Sequence, residues 1–187
     1  MSDQVYDLSQ YVEDLRRITR EEPDDKKILK LVAPLAQKFA ATPDLIKDEF
    51  YDCDEGQGFS FYLLHEEKDH SNAVFVLAWL PDRGTLAHNH KTWGVVVGIE
   101  GEERETWWLR KDNGSKPGYA ELERQTENTV GLGQVSCVLP EDIHTVWNHT
   151  DKVTLSLHTY GKHINFTGRS EFDPEARTEK AYVVTVE

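Results

Sequence analysis

Cysteine is nearly absent from this chain: Cys53 and Cys137 are the only two in 187 residues, too few for a disulfide framework. A reducing compartment, the cytoplasm, is the expected setting, and both thiols are expected to be ordinary core or surface residues. Long apolar runs are missing too. None is much longer than a strand, which speaks against a helical membrane span, and the opening MSDQVYDLSQ is too polar for a secretory signal. Positive charge is scarce, with 21 Lys and Arg against 34 Asp and Glu and a formal net charge of −13. Such a surface repels phosphate backbones and anionic bilayers, so neither nucleic acid nor membrane is an expected partner. Internal repeats, low-complexity tracts and linkers are also lacking, which predicts one domain over 1–187.

What is present falls into two textures. Over residues 1–50 the apolar positions recur at helical spacing: Leu8, Tyr11, Val12, Leu15 and Ile18 in DLSQYVEDLRRI, then Ile28, Leu31, Val32, Leu35 and Phe39 in EEPDDKKILKLVAPLAQKF. Thr42 and Pro43 read as the cap and first turn of a short third helix in TPDLIKDEF. Over residues 51–187 the chain breaks into short apolar runs, FSFYLLHEE, AVFVLAWL, WGVVVGIEG, ETWWLR, VSCVLP, VTLSLHTYG and AYVVTVE, which read as strands. Turn chemistry in DHSN, PDRG, KDNGSKPG and PED separates them. The expectation is an antiparallel sandwich or small barrel behind a helical N-terminal cap.

Of eight histidines, His65, His70, His149 and His163 stand singly and read as surface or core residues. His88 and His90 differ. With only Asn89 between them, both rings would leave one face of a strand, close enough to share a metal ion. His144, entering a strand after the proline turn of VLPEDIHTVWN, is the best third ligand. Neutral imidazoles suit zinc, iron, copper or nickel, and the ligands alone do not choose among these. In TLSLHTYG a hydroxyl, an imidazole and a phenol (Ser156, His158, Tyr160) share one strand face, either as a hydrogen-bonded relay or as a face turned to water.

These motifs resemble those of the cupins, whose first motif is HxH followed by a glutamate and a glycine. Here Gly94 stands where the glutamate usually sits, and Gly101 follows. Pro140, His144 and Asn148 fit the second cupin motif, with a turn one residue shorter than usual. Loss of the glutamate together with SLHTY resembles one branch, the thiol dioxygenases related to cysteine dioxygenase. Over roughly residues 50–175 the resemblance implies a mainly β, double-stranded β-helix barrel with the helical cap in front. It implies Fe(II) held by His88, His90 and His144, with Ser156, His158 and Tyr160 as a catalytic relay. Arg169, nine residues past Tyr160, matches the arginine that bacterial 3-mercaptopropionate dioxygenases use for the substrate carboxylate.

Two departures narrow the resemblance. Gly94 also occupies the place near which mammalian cysteine dioxygenases carry a cysteine crosslinked to the relay tyrosine, so no crosslink is expected. Phe61 stands where those enzymes have a polar substrate contact, which favours a less polar thiol acid than cysteine. The resemblance thus implies a dioxygenase acting on a small thiol and O2, a monomer or small homo-oligomer, that converts a mercapto-carboxylate to a sulfinate. Two alternatives stay open: another metal-dependent cupin, such as a zinc or manganese isomerase or hydrolase, and a non-catalytic cupin that binds a small ligand.

Overall fold

The computed structural model describes residues 6–187. Two helices come first, α1 (Leu8–Glu21) and α2 (Asp25–Ala40). Each starts at an aspartate whose carboxylate accepts a backbone N–H three residues on: Asp7 from Gln10 and Asp24 from Lys27. α1 buries Tyr11, Val12, Leu15 and Ile18, the stripe its spacing predicts. The buried stripe of α2 is Ile28, Leu29, Val32, Ala36 and Phe39. Its face is rotated toward Leu29 and Ala36, so Leu31, expected inside, is 49% exposed. None of the described helices is long and apolar enough to cross a membrane.

The third helix does not form over TPDLIKDEF. A single 3-10 turn, Asp48–Tyr51, takes its place. The Thr42 hydroxyl donates back to the Phe39 carbonyl at 2.8 Å, closing α2 rather than capping a new helix.

Twelve strands follow: β1 (Phe59–His65), β2 (Ser71–Trp79), β3 (Arg83–Gly84), β4 (Ala87–His88), β5 (Gly94–Glu100), β6 (Glu102–Arg110), β7 (Leu122–Gly131), β8 (Val135–Val138), β9 (Ile143–Asn148), β10 (Thr154–Lys162), β11 (Ser170–Asp173) and β12 (Thr178–Ala181). They form two antiparallel sheets, β1-β2-β10-β5-β8 and β12-β11-β4-β9-β6-β7, with β3 paired to β9. Except at the β6–β7 hairpin, consecutive strands from β4 to β10 alternate between the sheets. The eight inner strands, β2-β10-β5-β8 facing β4-β9-β6-β7, therefore have the order of a double-stranded β-helix, the cupin barrel.

Three sequence expectations change here. β7, LERQTENTVG, is exposed along most of its length and carries no apolar pattern by which to find it. AYVVTVE, expected as a strand, instead runs as an irregular tail beyond Ala181, tied down by Glu187 N–H to the Phe61 carbonyl at 2.7 Å and Leu63 N–H to the Glu187 carbonyl at 3.2 Å. The HxH pair is not wholly on a strand, because β4 ends at His88.

The helices cover the outer face of the five-stranded sheet. Val74, Val76 and Ala78 of β2, Val95, Val97 and Ile99 of β5, and Leu155 and Leu157 of β10 join Tyr11, Leu15, Val32 and Phe39 in one core. The alternate residues Ala73, Phe75, Leu77 and Trp79 face the barrel interior with Phe59, Phe61, Tyr160 and Ile164. β2 is thus buried on both faces, which is why AVFVLAWL is continuously apolar. β10 is covered on both sides as well, so its polar face meets protein rather than water.

Candidate functional site

His88 on β4 lies directly opposite His144 on β9. The backbone then turns out of β4, and Asn89 holds the turn against β11: its N–H reaches the Ser170 carbonyl at 3.1 Å and its side chain accepts the Ser170 N–H at 2.8 Å. Lys91, at φ 55°, reverses the chain, and its N–H meets the Pro140 carbonyl at 2.9 Å. These two ties bring His90 beside the other rings. One candidate ligand nitrogen from each of His88, His90 and His144 lies within 4.8 Å of the other two, and all three residues are buried.

The rings are prepared to act as lone-pair donors. His88 Nδ1 meets the Leu86 carbonyl at 3.1 Å; a carbonyl only accepts, so Nδ1 carries the proton and Nε2 is left basic. His144 Nδ1 meets the Glu105 carboxylate at 2.5 Å, and its buried Nε2 has no partner among the described residues. His90 Nδ1 is likewise buried without a partner. Burial first, then the charges of neighbouring histidines and Arg169, push His88 and His90 well below the ordinary imidazole range. Converging imidazole nitrogens are what a divalent transition metal takes, and the three histidines form a candidate metal site.

Glu105, on β6, was not apparent from sequence. Besides His144 it accepts from Asn128 Nδ2 at 3.0 Å and Ser136 Oγ at 2.8 Å. Burial opposes its charge, but the hydrogen bond and charge of His144, with those two contacts, hold its pKa below the ordinary carboxylate value. It sits behind the candidate ligand His144 and fixes that ring's orientation. The only signal in the sequence was a charged residue at an inward position of EERETWWLR.

The inward face of β10 carries a continuous chain. Trp79 Nε1 donates to Ser156 Oγ at 3.2 Å, Ser156 Oγ meets His158 Nε2 at 2.9 Å, and His158 Nδ1 meets the Tyr160 hydroxyl at 2.8 Å. Tyr160 reaches His90 Nε2 at 3.5 Å and stacks on its ring. Burial pushes the Tyr160 phenol up and drops His158 to about 3, so both are neutral at physiological pH.

Gly94 explains how the ring fits. A Cβ there would stand 2.7 Å from Tyr160 Cδ1 and 2.9 Å from Val138 Cγ2. Tyr160 therefore occupies the space a side chain at 94 would take. Cys137 pairs with Val95 on the adjoining strand but is exposed on the other face, whereas its neighbour Val138 faces Tyr160.

Arg169 is 2% exposed, and its Nε and Nη2 have no partner among the described residues. Its guanidinium lies 4.0 Å over the Tyr182 ring, whose centroid is 5.5 Å from that of His88. Tyr182, missed from sequence, comes from the irregular tail, and its N–H is held by the Arg169 carbonyl at 3.0 Å. Phe61 is buried edge-on to Phe75 and beside His158, with ring centroids 5.7 and 6.5 Å apart. Asn148 stays out of the cluster: its amide clamps the carbonyls of Trp79, Leu80 and Lys152.

No family model matches the chain. Among solved structures it is similar to an uncharacterized conserved protein with a double-stranded beta-helix domain from Klebsiella pneumoniae, at 13% identity over 69% of this chain and 91% of that one, with a TM-score of 0.49. It is similar to oxalate oxidase in complex with the substrate analogue glycolate, at 13% identity over 66% and 62% of the two chains, with a TM-score of 0.45. It is also similar to Bacillus subtilis oxalate decarboxylase, a protein with Mn(II) centres, at 19% identity over 49% and 22%, with a TM-score of 0.39. The double-stranded β-helix fold stands on the strand order itself.

Proposed function

We propose that the protein is an iron-dependent thiol dioxygenase acting on a small mercapto-carboxylate, such as 3-mercaptopropionate, to give the sulfinate. The observation that carries this reading is Arg169, a buried guanidinium with unpaired donors, beside three converging histidines that, among the described residues, have no carboxylate in their cluster. Fe(II) held there would lower the thiol's pKa and supply the redox chemistry that joins both atoms of O2 to sulfur.

Charge supports the reading. A divalent ion and Arg169 bring three positive charges into a buried space, and Glu105 offsets one of them. A dianion, thiolate at one end and carboxylate at the other, balances the remaining two. Arg169 would bind the carboxylate through its free Nε and Nη2 edge, its face being held by Tyr182. Phe61 contributes an apolar wall, and Glu105 is already engaged by His144, so a substrate ammonium finds no free acid there. Tyr160 would hold its hydroxyl toward the reacting atoms, oriented by His158 and Ser156.

Metal analysis together with oxygen uptake over a panel of thiols tests the proposal. Bound iron and oxygen consumption with 3-mercaptopropionate, weaker with cysteine and absent with cysteamine, is the expected result. Zinc without oxygen uptake would replace it with a hydrolase or isomerase, and a chain that binds no metal would leave only a ligand-binding cupin.

A further inference from the structure

Two half-buried aromatic rings border the histidine cluster, and they are held differently. Trp107 lies beside His144, their ring centroids 5.5 Å apart, on a strand paired along both edges, and its indole N–H is fastened to the Asn128 side chain at 2.7 Å. Tyr182 lies beside His88, also at 5.5 Å, on the tail that follows β12. Among the described residues, Tyr182 is the ring placed against both the histidines and Arg169, whose guanidinium carbon sits 4.0 Å from its centroid.

The contact with Tyr182 leaves the charge of Arg169 available. A carboxylate in that place would neutralise the guanidinium and occupy its donors. A tyrosine face attracts the cation without accepting from its N–H edge. Burial pushes the Tyr182 phenol up to about 12, so the ring brings no charge of its own. Glu171, the acid that both groups feel, is paired with Lys180 at 2.8 Å. The Tyr182 N–H also bonds to the Arg169 carbonyl at 3.0 Å, so the two residues are registered by backbone as well as by side chain.

A ligand that spans from the histidine cluster to Arg169 runs past this ring. We infer that Tyr182 is a specificity-determining residue: its ring is the wall beside the carboxylate-bearing carbon of the thiol acid, admitting an unbranched chain and excluding a large substituent there. The anchors place the wall. The thiolate belongs at the histidines and the carboxylate at Arg169, so the carbon next to the carboxylate is the one nearest the ring that Arg169 covers. A hydrogen on that carbon fits, whereas a benzyl group needs the volume that the phenol fills. The class of ligand rests on the function proposed above; the position of the ring does not.

The probe is 2-benzyl-3-mercaptopropionate, which keeps the thiol, the carboxylate and their spacing and adds a group the size of the tyrosine ring. It and 3-mercaptopropionate are titrated anaerobically into the full chain loaded with cobalt(II), and binding is read from the thiolate-to-cobalt charge-transfer absorption, which needs no turnover. In the wild type the benzyl thiol should bind at least about tenfold more weakly than 3-mercaptopropionate. In Tyr182→Ala it should gain about 10- to 100-fold, the worth of burying a phenyl ring. There 3-mercaptopropionate, losing only the brace on Arg169, should weaken by about two- to fivefold. Tyr182→Phe, which keeps the ring, should rank the thiols as the wild type does. If melting shows Tyr182→Ala to be unfolded, Tyr182→Leu carries the same comparison with a smaller gain. A merely structural tail would shift both thiols together. Equal shifts, a benzyl thiol that binds the wild type as tightly as 3-mercaptopropionate, or no thiolate band in any of the proteins overturns the inference. Oxygen uptake by the iron-loaded wild type decides the proposed function separately. A preserved ranking without uptake removes the dioxygenase and keeps the wall, and uptake with equal shifts does the reverse.

Discussion

At the scale of single residues, the proposed function divides the candidate site into groups that would hold a metal and groups that would act beside it. His144→Ala removes one nitrogen of the cluster and should lose bound metal altogether, as measured on purified protein. Glu105→Gln leaves the nitrogen but weakens its orientation; metal affinity should fall about 10- to 100-fold in chelator competition, with folding preserved. Tyr160→Phe removes only the hydroxyl, so metal content should stay unchanged while turnover drops. Equal metal loss in His144→Ala and Tyr160→Phe would break this division. Arg169→Ala removes a charged donor and should raise KM for carboxylated thiols by roughly 10- to 100-fold, in line with the weight of a charge-assisted hydrogen bond. Unchanged kinetics would take Arg169 out of the substrate pocket. These roles grow from tautomers and orphaned atoms that the residue types alone do not specify.

At the scale of elements, β5 and β10 are matched to each other. Gly94 lies opposite Tyr160 in the register, and the missing side chain at 94 is the space the tyrosine ring fills. Gly94→Ala puts a methyl against a buried ring that has nowhere to move. It should cost about 1–3 kcal/mol by denaturant titration and lower turnover with metal content intact. A fully active, equally stable variant would mean that the ring is not seated as described. The tail after β12 serves the site in another way. The Asn165 amide binds both the N–H and the carbonyl of Val184, Gln57 accepts the Thr185 N–H, and the tail so fastened keeps Tyr182 under Arg169.

At the scale of the whole molecule, the barrel wall is also the floor of the cap. Tyr11 of α1 meets Thr159 of β10 at 2.7 Å, on the strand face opposite the relay, so cap and site share one strand. Burial inside that barrel gives Glu103 its pH signature. Its folded pKa, about 8, is raised above the ordinary 4.5, so the neutral acid is the form that the fold favours. Its contribution is fully present below the unfolded value and is lost as pH rises through about 8. Glu103→Gln should therefore gain melting temperature relative to the wild type above that pH, and a difference independent of pH would remove the buried acid from the account.

Local pattern was enough for the helical cap, most strands, the HxH pair, His144 and the Ser156-His158-Tyr160 face, because each is written in side-chain periodicity or in a turn beside it. Pattern did not reach what depends on distant strands meeting. Glu103 and Glu105 look like surface charge until β6 is laid between β7 and β9, and AYVVTVE looks like a strand until only its last residue is found tied to Phe61 and Leu63 of β1. The polar face of β10 could have met water, and only closure of the barrel, with Phe61, Trp79 and Tyr160 packed around it, made it interior. The sequence by itself determined which residue types offer imidazole nitrogens and exchangeable protons at these positions. The tertiary structure decided which of them are buried, and burial is what lowers the pKa values of His88, His90 and His158, leaves Arg169 with unpaired donors among the described residues, and leaves Glu103 an acid.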